Sequence, residues 1–303
     1  MAMDPHLLRT FVAVARCGSF SAAAVELGYT QSAVSQQVAT LEGDLRTSLL
    51  HRRPVALTDA GARLLEHAEP LLLRLAAARA DVARLAASPA TALVVGVSAL
   101  ATTGFAAALA GVRSARLLTS VVVRVLERAA IVAGVADGTL DLGLVDGIAA
   151  PTDPLPLPDV GPLTALAVAQ EPLAVLLPAG HPLGGRRGLH LADLADARWI
   201  DAPEAAMPLA RLRVAGGSDG YRPSLRYDGT DVRGLIALAA AGHGLALLPA
   251  SVVRGAAGVA VPITGPRLTH RIEALYGGLP DEGPTALLAA ALTSADPAGN
   301  AGD

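Results

Sequence analysis

The chain has 303 residues, a formal net charge of −3, a single cysteine and 52% hydrophobic residues. That length accommodates two or three domains, and one cysteine excludes an internal disulfide framework and fits a reducing compartment. All 24 basic residues are arginine and the net charge is not that of an obvious nucleic-acid binder, so any DNA argument must rest on where the charges stand. No apolar run has the length of a membrane span, because Pro, Gly or Arg interrupts each candidate, and MAMDPHLLRT lacks a signal core. The expected location is therefore the cytoplasm, with no membrane partner.

In HLLRTFVAVARCGSF, residues Leu7, Leu8, Phe11, Val12 and Ala15 recur at helical spacing, Cys17 reads as a buried filler, and Gly18 closes the helix. Ser21 is the expected N-cap of a short second helix over AAAVEL. In GYT, Gly28 is free to take a positive φ and turn the chain, and Thr30 caps a third helix from about Gln31 to Gly43. On that helix Val34, Val38 and Leu41 share the buried face. Ser32, Ser35, Gln36 and Ala39 then point outward, with Gln31, Ala33 and Gln37 at the margins. The pattern is a helix-turn-helix, whose second helix lies in the major groove. Gln can bond an adenine edge through both ends of its amide, Ser can bond several bases, and Ala can touch a thymine methyl. The candidate base contacts are Gln31, Ser32, Ala33, Ser35 and Gln36; the competing reading is a solvated polar helix face.

LLHRRPVALTDAG follows, with His51, Arg52 and Arg53 ahead of a short apolar strand and Thr58 capping another helix. Basic residues on a hairpin behind the recognition helix are placed to grip phosphate. Ser21, Thr30, Gln37, Arg52 and Arg53 are the candidate phosphate contacts. The run SFSAAA, then TQSAVSQQV..LE, then LTDAG, resembles the LysR-type transcriptional regulators. Ser32 stands where that family often has Pro, SLLHRR replaces its usual Leu-Phe-x-Arg, and the wing reads a few residues short.

From Thr58 the pattern stays helical to about Ala87. Leu64, Ala68, Leu71, Leu75, Ala78, Val82 and Leu85 are spaced by alternating steps of four and three, a heptad seam expected between two subunits. Pro70 interrupts it and is expected to bend the helix or break one hydrogen bond. SPAT, Ser88 to Thr91, reads as a hinge.

In the C-terminal part, ALVVGVS, SVVVRVLE and GTLDLGLVDG read as strands, with a helix around Ala129 to Ala136 before the third. Strands alternating with helices imply a parallel α/β sheet. LTALAVAQEPLAVLLPAGHPL reads as two strands, and a second small α/β unit follows before a late strand and helix. The resemblance extends here more loosely through GTLDLGLV, HPL, ADLADARWI and AAGHGLALLPASVV. The fold it implies is a winged helix-turn-helix, a long linker helix and a two-lobed α/β effector-binding domain resembling periplasmic binding proteins. The expected boundaries are 1–60 for DNA binding, 58–90 for the linker and hinge, 91–164 plus 267–297 for lobe I, 165–266 for lobe II, and a disordered tail at 298–303.

The implied function is a sequence-specific regulator that binds an interrupted palindrome as a homodimer or dimer of dimers. A small molecule of unknown identity in the inter-lobe cleft would modulate it, with RNA polymerase as a further partner. The resemblance places Ser98, Thr102, Glu127, Arg128, Asp146, Asp201 and Thr230 at that cleft. Because three of these are acids and one is a base, the expected effector carries an amine or several hydroxyls rather than being a simple dicarboxylate.

Catalytic patterns are incomplete. GVSAL nearly matches a nucleophile elbow, but Leu100 replaces its second glycine, and GHGLAL lacks the third glycine of a dinucleotide fingerprint. The histidines, His243 among them, show no metal-ligand spacing. No catalytic residue, metal or cofactor is expected. The alternatives are a small-molecule-binding module without DNA binding, and a hydrolase using Ser98.

Overall fold

Short-range chemistry sets the ends of the three N-terminal helices. In the computed structural model, which describes residues 3–86, 92–102, 105–114, 120–161, 163–277 and 283–294, α1 (Pro5–Cys17) starts behind Asp4. The Asp4 carboxylate accepts from the His6 N–H, and the helix stops at Gly18 in the left-handed region. α2 (Phe20–Leu27) is capped by Ser19, whose Oγ accepts from the Ala22 N–H, and not by Ser21 as the sequence suggested. A single extended residue after Gly18 is enough to start the next helix, so the cap falls two positions earlier. Gly28 takes φ 71 in the turn. α3 (Gln31–Leu45) is capped by Thr30 Oγ1 and runs two residues beyond Gly43 before Arg46 turns left-handed.

Val34, Val38 and Leu41 are buried as their spacing requires, against Phe11, Val14 and Ala23. Cys17 packs against this core but is only half-buried, with its thiol directed at Glu26 Oε2 at 3.3 Å, so it fills the edge of the core rather than its interior. The wing forms from β1 (Leu50–Arg52) and β2 (Val55–Leu57), antiparallel with Leu50 opposite Leu57. α4 (Asp59–Ala86) begins at once behind Thr58, whose Oγ1 accepts from the Gly61 N–H. Gly61 must be glycine, because a Cβ there would lie 2.0 Å from the Leu49 carbonyl oxygen.

The residues of the expected seam differ in burial. Leu64 packs on the helix-turn-helix core and Ala68 is fully buried, so both belong to their own domain's interior. Leu71, Leu75 and Val82 are 49%, 42% and 70% exposed, and Ala78 is exposed with them. The side chain of Leu85, the hinge at Ser88–Thr91 and the tail at 298–303 lie outside the described residues.

The rest of the chain is α/β. β3 (Ala92–Val97), α5 (Phe105–Ser114), β4 (Ser120–Val125), α6 (Arg128–Asp137) and β5 (Leu142–Ala149) build a parallel sheet in the order β4-β3-β5. β6 (Thr164–Leu177) follows as one strand of 14 residues rather than two. Beyond it come β7 (Leu189–His190), a 3-10 turn at Leu191–Leu194, β8 (Arg198–Asp201), α7 (Leu209–Gly216) and β9 (Arg222–Arg226). α8 (Val232–Ala240), β10 (Ala246–Pro249), α9 (Ala250–Val253), β11 (Val259–Gly265), β12 (Thr269–Tyr276) and α10 (Pro284–Ser294) complete it.

β6 joins two lobes because its partners change along its length. Thr164 to Pro172 pair with β12, which also pairs with β5. Leu173 to Leu177 pair with β10 and β11 instead. Pro172 has no N–H to donate, and it stands where one ladder ends and the next begins. The chain therefore changes lobes near Pro172 rather than at residue 164. One lobe closes over Val95, Leu144, Ile272 and Leu288; the other over Val175, Trp199, Leu212 and Tyr221. The chain divides into two compact units, residues 1–80 with 159–161 and residues 81–158 with 162–303, the second containing both lobes. No helix among the described residues is long and apolar enough to cross a membrane.

Candidate nucleic-acid interface and inter-lobe cavity

The outward face of α3 is built from the helix upward. With Val34, Val38 and Leu41 locked in the core, Gln31, Ser32 and Gln36 are exposed, while Ala33 and Ser35 are half-buried at the margin. The Gln36 side chain makes no hydrogen bond among the described residues, so both ends of its amide are unspent. Ser32 Oγ lies 3.0 Å from Thr30 Oγ1, which also caps the helix.

Two of the expected phosphate contacts are committed elsewhere. Gln37 Oε1 accepts from Thr10 Oγ1 at 2.7 Å and its Nε2 lies 3.2 Å from His6 Nε2, so α1 holds both ends of this amide. Arg52 donates from Nη2 to Glu42 Oε2 at 2.8 Å and stacks 4.8 Å over the Phe20 ring. Glu42 also accepts from the N–H groups of Leu49 and Leu50, at 2.8 and 3.2 Å, and so ties the end of α3 to the start of the wing. Ser21, Thr30 and Arg53 stay exposed, and Arg53 has no ion pair among the described residues.

A cavity of about 310 Å³ opens between the lobes. Of the residues expected at the cleft only Arg128 and Asp146 line it. Ser98 is buried: its hydroxyl donates to the Leu144 carbonyl at 3.2 Å and accepts from the Asp146 N–H at 3.0 Å. It holds strand to strand and is not free to act as a nucleophile. Thr102 is exposed and Glu127 is the exposed N-cap of α6. Asp201 pairs with Arg226 at 3.0 Å, and Thr230 is half-buried outside the cavity wall.

The polar side of the cavity is a network the sequence did not reveal. Arg128 donates from Nε to the Asp146 carbonyl at 2.9 Å and from Nη2 to Asp146 Oδ2 at 3.0 Å. Across the gap its Nη1 donates to the Pro203 carbonyl and lies 3.6 Å from Glu204 Oε2, which accepts the Arg128 backbone N–H at 3.2 Å. His270 Nε2 lies 3.2 Å from Asp146 Oδ2 on the other side. Its Nδ1 is 3.6 Å from Glu171 Oε1, beyond hydrogen-bond length, so that contact is coulombic. Glu171 in turn accepts from the N–H and hydroxyl of Ser251, each at 2.9 Å.

Burial alone would raise the Asp146 carboxyl, but the hydrogen bond from His270 and the charges of Arg128 and His270 outweigh it and pull the pKa down to about 2. Burial would lower His270, and the two carboxylates flanking it win, so its pKa is raised. Glu171 is likewise lowered against its burial by His270 and Ser251. The acids counted from the sequence are thus either paired or away from the cavity, which removes the basis for expecting an amine or a polyol there. Among the described residues no cluster of His, Cys, Asp and Glu is placed to hold a metal ion.

Residues 5–62 match the family model described as bacterial regulatory helix-turn-helix protein, lysR family, and residues 86–287 match that of the LysR substrate binding domain. The chain is 29% identical over 256 residues to the HTH-type transcriptional regulator BudR of Raoultella terrigena, covering 82% of this chain and 86% of that one. It is 32% identical over 260 residues to the HTH-type transcriptional regulator ShiR of Corynebacterium glutamicum, covering 81% and 82%. In fold it resembles full-length BenM, with a TM-score of 0.54 at 24% identity over 96% of each chain.

Proposed function

Since the chain belongs to the LysR family of DNA-binding transcription regulators, we propose that it binds an interrupted palindrome as a homodimer or dimer of dimers, under the control of a small molecule in the inter-lobe cavity. The observation that carries the DNA half is the exposed face of α3, backed by three buried side chains and presenting Gln36 with an unspent amide. In this reading Gln31, Ser32, Ala33, Ser35 and Gln36 meet base edges. Ser21, Thr30 and Arg53 meet phosphate, and Arg52 and Gln37 brace the helix that does the reading. The apolar stripe Leu71, Leu75, Ala78 and Val82 supports pairing of two α4 helices, because a lone helix gains nothing by exposing it to water.

The effector half rests on differential binding. A ligand that prefers one arrangement of the lobes shifts the population toward it, and no chemistry is needed. RNA polymerase is the partner through which such a shift reaches transcription, and the site of action is the cytoplasm. Footprinting on the DNA flanking the chain's own gene tests the reading. The expected result is two protected half-sites separated by a whole number of helical turns, about 10 bp each. Protection that unrelated competitor DNA removes equally well refutes it.

A further inference from the structure

We propose that the inter-lobe cavity takes a small molecule carrying one acidic group on an apolar body, with the acid held by Arg211. This rests on the reading of the cavity as an effector site, and it goes further by assigning the ligand's chemistry. All but five of the lining residues are apolar or glycine. Aliphatic side chains and Met207 make up most of the wall, and Pro156, Pro158, Pro203, Pro208 and Pro249 add surface that offers no N–H. A polyol bound there would leave its hydroxyls without partners in a dry wall. The volume, about 310 Å³, is at the small end of the range for ligand pockets, which suits a small molecule.

The five polar lining side chains are Arg128, Asp146, Glu204, Arg211 and His270. Four of them spend their charge on one another. Asp146 is met by Arg128 and His270, and Glu204 by Arg128. Asp146 Oδ1 has no hydrogen-bond partner, but it is closed off from solvent and presents no face to a ligand. Arg128 already donates to three protein acceptors and lies 3.6 Å from the Glu204 carboxylate, so a ligand gains little from it. Arg211, in the first turn of α7, is exposed and has no ion pair or side-chain hydrogen bond among the described residues. Pro208, the N-cap of the same helix, also lines the cavity, so the positive helix end lies at the same wall. The one unspent charge is therefore positive, and a guanidinium beside an apolar cavity suits a carboxylate bound through both oxygens.

The test uses the full chain, with calorimetric titration and thermal shift. The probes are octanoate and cyclohexanecarboxylate, each beside its primary amide and the matching amine, with glycerol as a polyol. The carboxylates are expected to bind at least tenfold more tightly than their amides. Arg211→Gln, on an exposed helix surface, should erase that difference while leaving the amides unchanged. Ala129→Trp, which fills the cavity from an exposed position of α6, should abolish binding of all of them. A preference for the amines or glycerol that Ala129→Trp blocks overturns this inference and leaves the effector reading standing. A carboxylate preference that survives Arg211→Gln also overturns it. If no probe of any class binds, the effector reading and this inference fall together.

Discussion

Asp146→Asn removes one charge and leaves the shape of the cavity wall nearly unchanged. In the wild type the Asp146 side chain is 1% exposed and its pKa sits at about 2 instead of 3.8. A depression of that size corresponds to about 2 kcal/mol of stabilising interaction. Removing one member of a buried pair also strands its partners, at about 3–5 kcal/mol. The Asp146 carbonyl still receives Arg128 and its N–H still reaches Ser98, so the lower end, about 3 kcal/mol, is expected. For a domain of this size that is a fall of about 6–12 °C in melting temperature.

The pH dependence is specific. A carboxylate with a depressed pKa stabilises above its unfolded value and loses that contribution as pH falls, so the gap between wild type and variant should close from 3.8 toward 2. His270 has a raised pKa, so its contribution is complete below 6.5 and fades as pH rises through the folded value, which narrows the gap from the other side. The gap should therefore be widest between about pH 4 and 6.5. Thermal unfolding followed by circular dichroism at half-unit pH intervals measures it. A variant that melts within 2 °C of wild type near pH 5, or a gap that is flat from pH 3 to 8, refutes the coupled network.

Gln36→Ala should cost about 1–3 kcal/mol at a single base-pair position and relax specificity there, read by competition with single-substitution operators; a loss equal on all sequences removes Gln36 from base readout. Arg53→Ala should reduce the log–log salt slope of DNA binding by about one, whereas Arg52→Ala should leave the slope and weaken the fold of the helix-turn-helix. Equal slope changes for both would show that the Glu42 contact opens on DNA. Leu75→Asp places a charge on the exposed stripe of α4, where pairing would cost several kcal/mol of desolvation, and sedimentation should show monomers. An intact dimer with unaltered operator affinity would move the interface elsewhere.

Much of the N-terminal domain was legible because its determinants are local. The step between Val34, Val38 and Leu41 fixes a helix face wherever the helix sits, and Gly18, Gly28 and Thr30 act within three or four residues of themselves. The heptad spacing of Leu71, Leu75, Ala78 and Val82 was legible for the same reason. Leu64 and Ala68 obey the same spacing, yet only the packing of α4 on its own domain decides that they face inward. Spacing determines a face, and it does not say what covers that face.

What the sequence could not supply was the commitment of each polar group. Gln37 lies 27 positions from Thr10, and Asp146 lies 124 from His270. Nothing in the residues around His270 marks it as the bridge between Asp146 and Glu171, and nothing near Arg211 marks it as the cation left over. A charge in a sequence is only a count. Whether it is spent inside the protein or offered to a ligand depends on which oxygens and nitrogens lie within about 3 Å of it, and that distance is set only when strands and helices far apart in the chain pack together, as where the pairing of β12 with β6 sets His270 opposite Glu171.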